Sequence, residues 1–322
     1  MDVRQVIPRD AIPSVDDPTF GGAYPGSDDD LVIALGSGAG PRAYPIRYLN
    51  YHEIVNDRLP SGTPVAVTWC PLCGSAVVYE ARARGRELTF GVSGKLADDD
   101  LVMYDRETGS EWKQSRGDAF AGELAGASLA VRPAATLTWA AFRDRYPDGV
   151  VLQPPGGESE AGSADAEPAP IEYAEDPYRE YVRGDGFGLA AHRGEDSRDW
   201  PRADLDPKTV VLGLEADGAA LGVPLPVLEA AGGVLQVSVG GTDAVVFAGA
   251  GGVHAFRDPG LDFAPAGEGE GFVADGTTWD GATGAAEDGR HLERLPARRL
   301  FAFAWRDDHG DAFFTGTDGG DG

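Results

Sequence analysis

The two cysteines of the chain lie three residues apart in the segment Cys70-Pro71-Leu72-Cys73-Gly74. Pro71 fixes its own φ angle and Gly74 tolerates the left-handed conformation, so the segment predicts a tight turn that brings both sulfurs within a few ångströms of each other. Such a pair can bind one metal ion or cycle as a disulfide. It can also be two buried side chains that behave as small apolar groups.

The residues after this turn favour a metal over a thioredoxin-like site. Ser75–Tyr79 alternates like a β-strand, whereas a redox pair of that type opens a helix whose N-terminus lowers the thiol pKa. A strand–turn–strand with these cysteines is similar to a zinc knuckle. Because the chain has no second cysteine pair, the remaining ligands would be His, Asp or Glu.

A segment upstream of the cysteines supplies an imidazole and two carboxylates. It reads His52-Glu53-Ile54-Val55-Asn56-Asp57. His52 is predicted as the third metal ligand or a general base, with Glu53 or Asp57 as a fourth ligand or a partner of the ligands, and all three are candidate catalytic residues. The alternative is a helix end at which Asn56 and Asp57 only turn the chain.

A third group of polar residues is predicted to line a pocket with an aromatic wall. Its members are Asn56, Ser93, Tyr104, Asp105, Arg106, Ser110, Trp112 and Gln114. The alternative is an Asp-initiated turn above a buried tryptophan. The segment Gly91-Val92-Ser93-Gly94 lacks the spacing of a phosphate-binding loop or a nucleophile elbow, so no nucleotide cofactor is predicted.

Most local patterns that would position these residues have a period of two. Val65–Trp69, Ser75–Tyr79 and Leu101–Tyr104 read as strands, and helical patterns are confined to short pieces such as 46–53 and 138–145. The fold class is therefore predicted as β-rich α+β, with short antiparallel strands and few short helices.

Similar segments recur in the same order on both sides of an acidic stretch rich in Pro and Gly. Ala76-Val77-Val78-Tyr79 is matched by Ala244-Val245-Val246-Phe247, for example. We interpret this as an internal duplication: a first repeat at 1–153 with the cysteine site, a linker or exposed loop at 154–180, and a degenerate second repeat at 181–322. In the second repeat, Ser238-Val239-Gly240-Gly241-Thr242 is expected where the first has its cysteines.

The chain is strongly acidic, with 27 basic against 53 acidic residues and a formal charge of −26. Three of the basic residues are lysines. This balance excludes a nucleic-acid footprint, which needs a basic face. The acidic residues are spread along the whole chain, which is typical of a cytosolic protein adapted to molar salt, as in a halophilic archaeon.

The sequence also gives no sign of a membrane segment. Its apolar runs are strand-sized, and Met1-Asp2-Val3-Arg4-Gln5 does not begin a signal peptide. A cytoplasmic location is therefore predicted.

The blocks around these residues resemble the domain of unknown function 3179 family. The resemblance lies in Ala43-Tyr44-Pro45, 52–57, 70–74, 90–94, 103–114 and Trp139, and is strongest over 31–152. Family members have Ser-x-Trp-x-Gln where this chain has Ser110, Trp112 and Gln114. Lys95-Leu96-Ala97 departs from the Leu-Leu-Tyr of many members, and many are exported. The resemblance implies a shared fold and site but no reaction.

Three functions follow from these residues. The first is a metal-binding or metal-dependent protein with Cys70, Cys73 and His52 as ligands, zinc as the default and copper or iron left open. The second is a thiol–disulfide protein in which His52 tunes the thiolate. The third is a non-enzymatic module that holds a small ligand against Trp112 and Tyr104.

The acidic composition predicts that the melting temperature rises with salt. Self-repulsion destabilises the compact state, and at about 1 M salt the screening length falls to about 3 Å. Melting curves recorded from dilute buffer to about 2–3 M KCl test this expectation. An unchanged melting temperature would contradict it.

Overall fold

The computed structural model describes residues 1–35, 40–163, 167–267 and 271–314. Short strands, almost all in antiparallel pairs, make up most of its regular structure, which confirms the predicted β-rich class. The strands are β1 (Val3–Gln5), β2 (Phe20–Gly21), β3 (Leu31–Leu35), β4 (Arg42–Pro45), β5 (Ile54–Arg58), β6 (Pro64–Cys70), β7 (Ser75–Glu80), β8 (Arg82–Ala83), β9 (Arg86–Glu87), β10 (Phe90–Ala97), β11 (Asp100–Asp105), β12 (Glu111–Lys113), β13 (Asp118–Ala121), β14 (Ala134–Thr138), β15 (Val150–Leu152), β16 (Glu158–Ser159), β17 (Ala169–Pro170), β18 (Val210–Ala216), β19 (Ala219–Pro224), β20 (Val234–Val239), β21 (Thr242–Gly249), β22 (Gly252–Arg257), β23 (Ala264–Pro265), β24 (Phe272–Ala274), β25 (Thr277–Trp279) and β26 (Arg298–Phe301).

The helices are short, as predicted. They are α1 (Ile46–His52), α2 (Trp139–Arg145), α3 (Arg179–Arg183), α4 (Gly188–His192), α5 (Leu225–Ala230) and α6 (Ala302–His309), with a 3-10 turn at Glu160–Gly162. The Thr138 hydroxyl caps α2 by accepting a hydrogen bond from the Ala141 amide. Within the described ranges, none of these helices has the length and apolar character needed to cross a bilayer.

The cysteine turn lies in a sheet with strand order β19-β18-β26-β7-β6-β5. The β6–β7 pair is antiparallel and its register ends with Cys70 opposite Ser75. Three strands of this sheet come from the first half of the chain and three from the second. The strand β26 joins them by pairing with β7 on one side and β18 on the other.

A second sheet, with strand order β1-β10-β11-β12-β13, packs near the cysteine turn. The β10–β11 hairpin turns at Asp98 and Asp99, both of which have positive φ. This turn places Asp100 at the start of β11, on the side where both cysteines join the largest apolar core.

The same succession of elements occurs twice along the chain. A hairpin (β3–β4), a short helix (α1) and three antiparallel strands (β5–β7) are followed later by β14, which pairs with β3 and leads into α2. In the second half, β18–β19, α5 and β20–β22 are followed by β26, which pairs with β18 and leads into α6.

The two halves also hold each other's turns through matching hydrogen bonds. The Phe301 amide, where β26 meets α6, donates to the Cys73 carbonyl in the β6–β7 turn at 2.7 Å. The Thr138 amide, where β14 meets α2, donates to the Ala250 carbonyl in the β21–β22 turn at 3.0 Å. In each half, the strand that leads into the last helix, β14 or β26, therefore binds the turn of the other half.

The stretch expected as a linker or exposed loop, 154–180, contains the 3-10 turn and the short strands β16 and β17. Ser159 is fully buried and its hydroxyl donates to the Tyr51 carbonyl at 2.8 Å. Residues 164–166 of this stretch lie outside the described residues. The described part packs against the first half, next to the cysteine turn.

The packing of the cysteine turn predicts that adding a methyl group at Gly74 destabilises the protein more than adding one at Gly62. Gly74 has φ +55°, and a Cβ there would lie 2.7 Å from Cζ of Phe301, whereas Gly62 has φ +84° and open space. Both Gly→Ala variants should lose about 1–2 kcal/mol from the left-handed conformation. Gly74→Ala should lose roughly 1–3 kcal/mol more through overpacking. Denaturant unfolding of the two variants measures the difference, and equal losses would contradict the packing.

Candidate functional site

The strand–turn–strand predicted for the cysteines is confirmed, and both side chains are buried within it. Cys70 ends β6, Cys73 lies in the turn, and both are free thiols. Their exposed fractions are 1% and 0%. The Cys73 thiol donates a weak hydrogen bond to the Asp99 carbonyl at 3.4 Å, so the β10–β11 turn touches the sulfur directly.

Elements from distant parts of the chain fix the backbone of the turn. The guanidinium of Arg299 donates to the Gly74 carbonyl at 2.5 Å, and the Phe301 amide holds the Cys73 carbonyl. On the opposite side, the Tyr181 hydroxyl donates to the Leu72 carbonyl at 2.6 Å. Three of the backbone carbonyls in this short segment are thus bound from outside it, which fixes where the sulfurs lie.

The third chemical group at the sulfurs is Asp100. Ligand atoms of Cys70, Cys73 and Asp100 all lie within 4.8 Å of one another. One carboxylate oxygen of Asp100 accepts a hydrogen bond from the Ser115 amide at 2.8 Å. Its other oxygen, Oδ1, is buried and has no hydrogen-bond partner among the described residues.

The surroundings of this cluster oppose negative charge. Burial raises the pKa of both thiols, and it raises the pKa of Asp100 to about 6 against the opposing effect of Lys113. The Lys113 ammonium is itself held 2.7 Å from the buried Asp308 carboxylate. At neutral pH the two thiols therefore retain their protons unless a cation replaces them, whereas Asp100 loses its proton near pH 6.

The sequence predicted that His52 would lie at the sulfurs, but the structure places it elsewhere and the cluster of possible ligands contains Asp100 instead. The His52 ring is buried, with Nδ1 at 2.9 Å from the Pro13 carbonyl and Nε2 at 2.6 Å from the Tyr173 hydroxyl. Both ring nitrogens are thus engaged. The reason is local: α1 ends at His52, and Glu53 takes a positive φ of 57° that redirects the chain into β5.

Asp57 and Asn56 also lie in structural contacts. Asp57 accepts hydrogen bonds from Arg42 at 2.5 Å and from the Tyr44 hydroxyl at 2.6 Å. The Asn56 side chain bridges β5 to β10, because it both donates to the Phe90 carbonyl and accepts from the Phe90 amide. Neither residue turns the chain at a helix end, as the alternative expected, because both lie within β5 and the chain turns at Glu53.

Two of the expected pocket-lining residues, Asp105 and Trp112, lie in a hydrogen-bonded turn instead. Asp105 accepts from the Thr108 amide at 2.6 Å and from the indole Nε1 of buried Trp112 at 2.9 Å, which is the Asp-initiated turn of the alternative interpretation. The remaining members have bonds of their own: Ser93 to the Val102 carbonyl, Tyr104 to Asp10, Arg106 to Ser14, Ser110 to the Leu124 amide, and Gln114 to Thr68 and the Ser75 carbonyl.

A cavity of about 360 Å³ lies beside Cys70, and Glu53 lines it. The Glu53 side chain is buried, with 7% of the residue exposed. Among the described residues its carboxyl group has no hydrogen-bond or ion-pair partner, although its backbone carbonyl accepts from the Trp69 amide at 2.8 Å. A buried carboxyl that faces a cavity in this way is typical of a functional group.

Burial and nearby acids perturb Glu53 strongly. Burial, together with the negative charges of Glu160 and Asp100, raises its pKa to about 8. Its left-handed backbone is uncommon for a residue with a side chain, and such outliers cluster at functional sites.

Sequence reasoning missed three residues of this region: Asp100, Glu160 and Tyr178. Asp100 is the last of three consecutive aspartates, and the sequence does not distinguish the inward one, because that depends on the hairpin geometry. Glu160 and Tyr178 line the cavity from the stretch whose composition predicted a linker. The signal available in the sequence was Tyr178 itself, since a large aromatic side chain within an acidic segment indicates that part of the segment packs against the protein.

Comparisons with known proteins give a family but no characterised relative. A family model described as a protein of unknown function (DUF3179) matches residues 9–312. No curated protein and no solved structure matches the chain.

The raised pKa of Glu53 predicts how Glu53→Gln changes stability with pH. The native carboxyl keeps its proton up to about pH 8, whereas the carboxyl of the unfolded chain releases its proton near the ordinary glutamate pKa of 4.5. The unfolding free energy therefore falls as the pH rises from 4.5 to 8. Glu53→Gln removes that loss. In metal-free protein, its unfolding free energy should match wild type near pH 4.5 and exceed it by on the order of 4 kcal/mol above pH 8.

Denaturant titrations at both pH values measure this difference. The exposed Glu158 provides the control, since Glu158→Gln should follow the wild type at both values. A Glu53→Gln effect of equal size at both pH values would contradict the expectation.

Proposed function

Because the chain belongs to the DUF3179 family of proteins of unknown function, we propose its function from the site itself: Cys70, Cys73 and Asp100 bind a metal ion, zinc by ligand type. The observation that carries the proposal is the buried Asp100 oxygen, which has no hydrogen-bond partner among the residues that the structure describes, in a cluster with two buried thiols. A buried acceptor in that position needs a proton or a cation.

The spacing of the three groups suits a tetrahedral ion. Zn–S bonds of about 2.3 Å and Zn–O bonds of about 2.0 Å place tetrahedral ligand atoms roughly 3.5–3.8 Å apart. The present limit of 4.8 Å requires the ligand atoms to close by at most about 1 Å. Two thiolates would neutralise Zn²⁺, and the carboxylate would add one net negative charge, on which the positive charge of Lys113 acts. Ser115 would orient the carboxylate through its amide.

Three protein ligands leave a fourth position for an exchangeable group, which is the pattern of catalytic rather than structural zinc. Cys70 lines the cavity, so that position is accessible from it. Bound zinc would supply Lewis acidity and lower the pKa of a bound water. Copper(I) also prefers thiolates, so the test below includes it.

A thiol–disulfide role has less support. Redox cysteines need a lowered pKa and some exposure, whereas burial raises the pKa of both thiols here. The turn is followed directly by β7, so the cysteine pair does not open a helix as a thioredoxin-like pair does.

We also infer that the two halves arose by duplication. The repeated succession of elements and the reciprocal bonds of Phe301 and Thr138 support this inference. When the elements of the two halves are matched in order, β5–β7 correspond to β20–β22, and the cysteine turn corresponds to the β21–β22 turn around Ala250. The segment 238–242, which sequence similarity suggested, joins β20 to β21 and corresponds to the β5–β6 connection. The second copy has a shorter turn without sulfur.

If the proposed metal centre exists, the amount of zinc bound per chain should change with substitution of its ligands. Protein purified without chelator should contain about one zinc per chain by elemental analysis, and Cys70→Ser or Cys73→Ser should abolish it. Asp100→Asn should weaken zinc affinity by at least about tenfold. His52→Gln is the matched comparison and should retain zinc, because the His52 ring is bonded elsewhere.

Zinc, copper(I) and iron(II) are titrated into the metal-free protein with circular dichroism as a folding check. Zinc lost with His52→Gln but kept with Asp100→Asn would contradict the ligand set. A reversible disulfide without any bound metal would support the redox function instead.

A further inference from the structure

We propose that the cavity beside Cys70 binds a small apolar molecule carrying a protonated amino group, with Glu53 as the partner of the ammonium. The inference does not depend on bound metal, because Glu53, the residue that carries it, is not a proposed ligand and Asp100 acts on it in the metal-free protein as well. Glu53 was the upstream carboxylate expected to assist a metal, and here it has a different role.

The cavity has the size and lining of a small-molecule site. Its volume of about 360 Å³ falls in the range of such sites. Most of the wall is apolar and comes from the N-terminal segment, β10, β11 and α4: Ile7, Ile12, Val92, Leu96, Leu101 and Leu189. A ligand there must be mainly apolar to fill it favourably.

The polar group available to a ligand is the Glu53 carboxyl. It is more than nine-tenths buried, lines the cavity and has no partner within the described part of the chain. A buried carboxyl of this kind is stabilised by a charged donor more than by a neutral one, because charge-assisted hydrogen bonds are the stronger ones.

The charges around Glu53 select a cation. The groups that act on it are Glu160 and Asp100, both acidic. The Tyr178 hydroxyl also lines the cavity, and the charged or ionisable neighbours that raise its pKa are again acidic, namely Glu53, Cys70, Glu160 and Asp176. The inner end of the cavity therefore has a negative potential that a ligand anion would meet unfavourably.

No basic residue of the described lining is among the groups that shift the pKa of Glu53, although the positive charge of Arg193 opposes the raised pKa of Glu160. Lys95 is paired with Glu111 at 2.5 Å, and Arg193 is exposed. The ring of His192 stacks on that of Tyr178 with centroids 4.9 Å apart, and burial lowers the pKa of His192. The aromatic ring of Tyr178 offers a further favourable surface for an ammonium.

The experiment compares three six-carbon probes in calorimetric titrations of metal-free protein at pH 9. They are hexylamine, 1-hexanol and hexanoate, which have six carbons each and differ in the charge and hydrogen-bonding groups of the head. Hexylamine should bind at least about tenfold more tightly than hexanol, and hexanoate should not bind. Glu53→Gln should weaken hexylamine binding at least about tenfold and leave hexanol binding unchanged.

Glu158→Gln changes the net charge by the same amount at an exposed position and should leave hexylamine binding unchanged, which controls for attraction to the acidic surface. Equal binding of hexylamine and hexanol, or full hexylamine binding by a folded Glu53→Gln variant, would overturn the proposal. Binding that needs added zinc and disappears in Cys70→Ser would overturn it as well, because the amine would then be a metal ligand. Failure to bind zinc, by contrast, would count against the metal centre alone.

Discussion

The site depends on the cost of placing two thiols and a carboxyl together where water is excluded. Each group gains negative charge when it loses its proton, and burial raises the pKa of all three. A hydrogen bond from the Ser115 amide to one oxygen of Asp100 relieves part of this cost, and the positive charge of Lys113 opposes the rise in the pKa of that carboxyl. In the described part of the chain, the second oxygen has no hydrogen-bond partner. A cation among the three groups resolves all of these deficits together, which is why we place the metal there.

The position of these groups is set largely by the rest of the chain. The turn itself contains few contacts, yet Arg299 and Phe301 hold its carbonyls from β26, and Tyr181 holds it from α3. The second half, which has no cysteines, thus acts as a support for the first. Its strand β26 stands in the same sheet as β7, so the sulfurs are fixed by a structure that spans both halves.

Sequence reasoning succeeded where the chemistry was local and failed where it depended on tertiary structure. The cysteine turn was predictable because Pro71 and Gly74 lie within it and the flanking strands have a period of two. The placement of His52 was not, because a single positive φ at Glu53 turns the chain away from the helical path. Asp100 reaches the sulfurs only through the packing of one hairpin on another. The cavity residues Glu160, Ser163 and Tyr178 lie in the stretch 154–180, which has the composition of a linker.

The central claim is that a metal ion bound to this protein has two sulfur ligands and a carboxylate oxygen. X-ray absorption at the zinc edge of the purified, zinc-loaded protein measures this coordination directly. The account predicts two sulfur atoms at about 2.3 Å and lighter ligands at about 2.0 Å, with the oxygen contribution altered in Asp100→Asn. A shell without sulfur, or one with histidine scattering that disappears in His52→Gln, would contradict it.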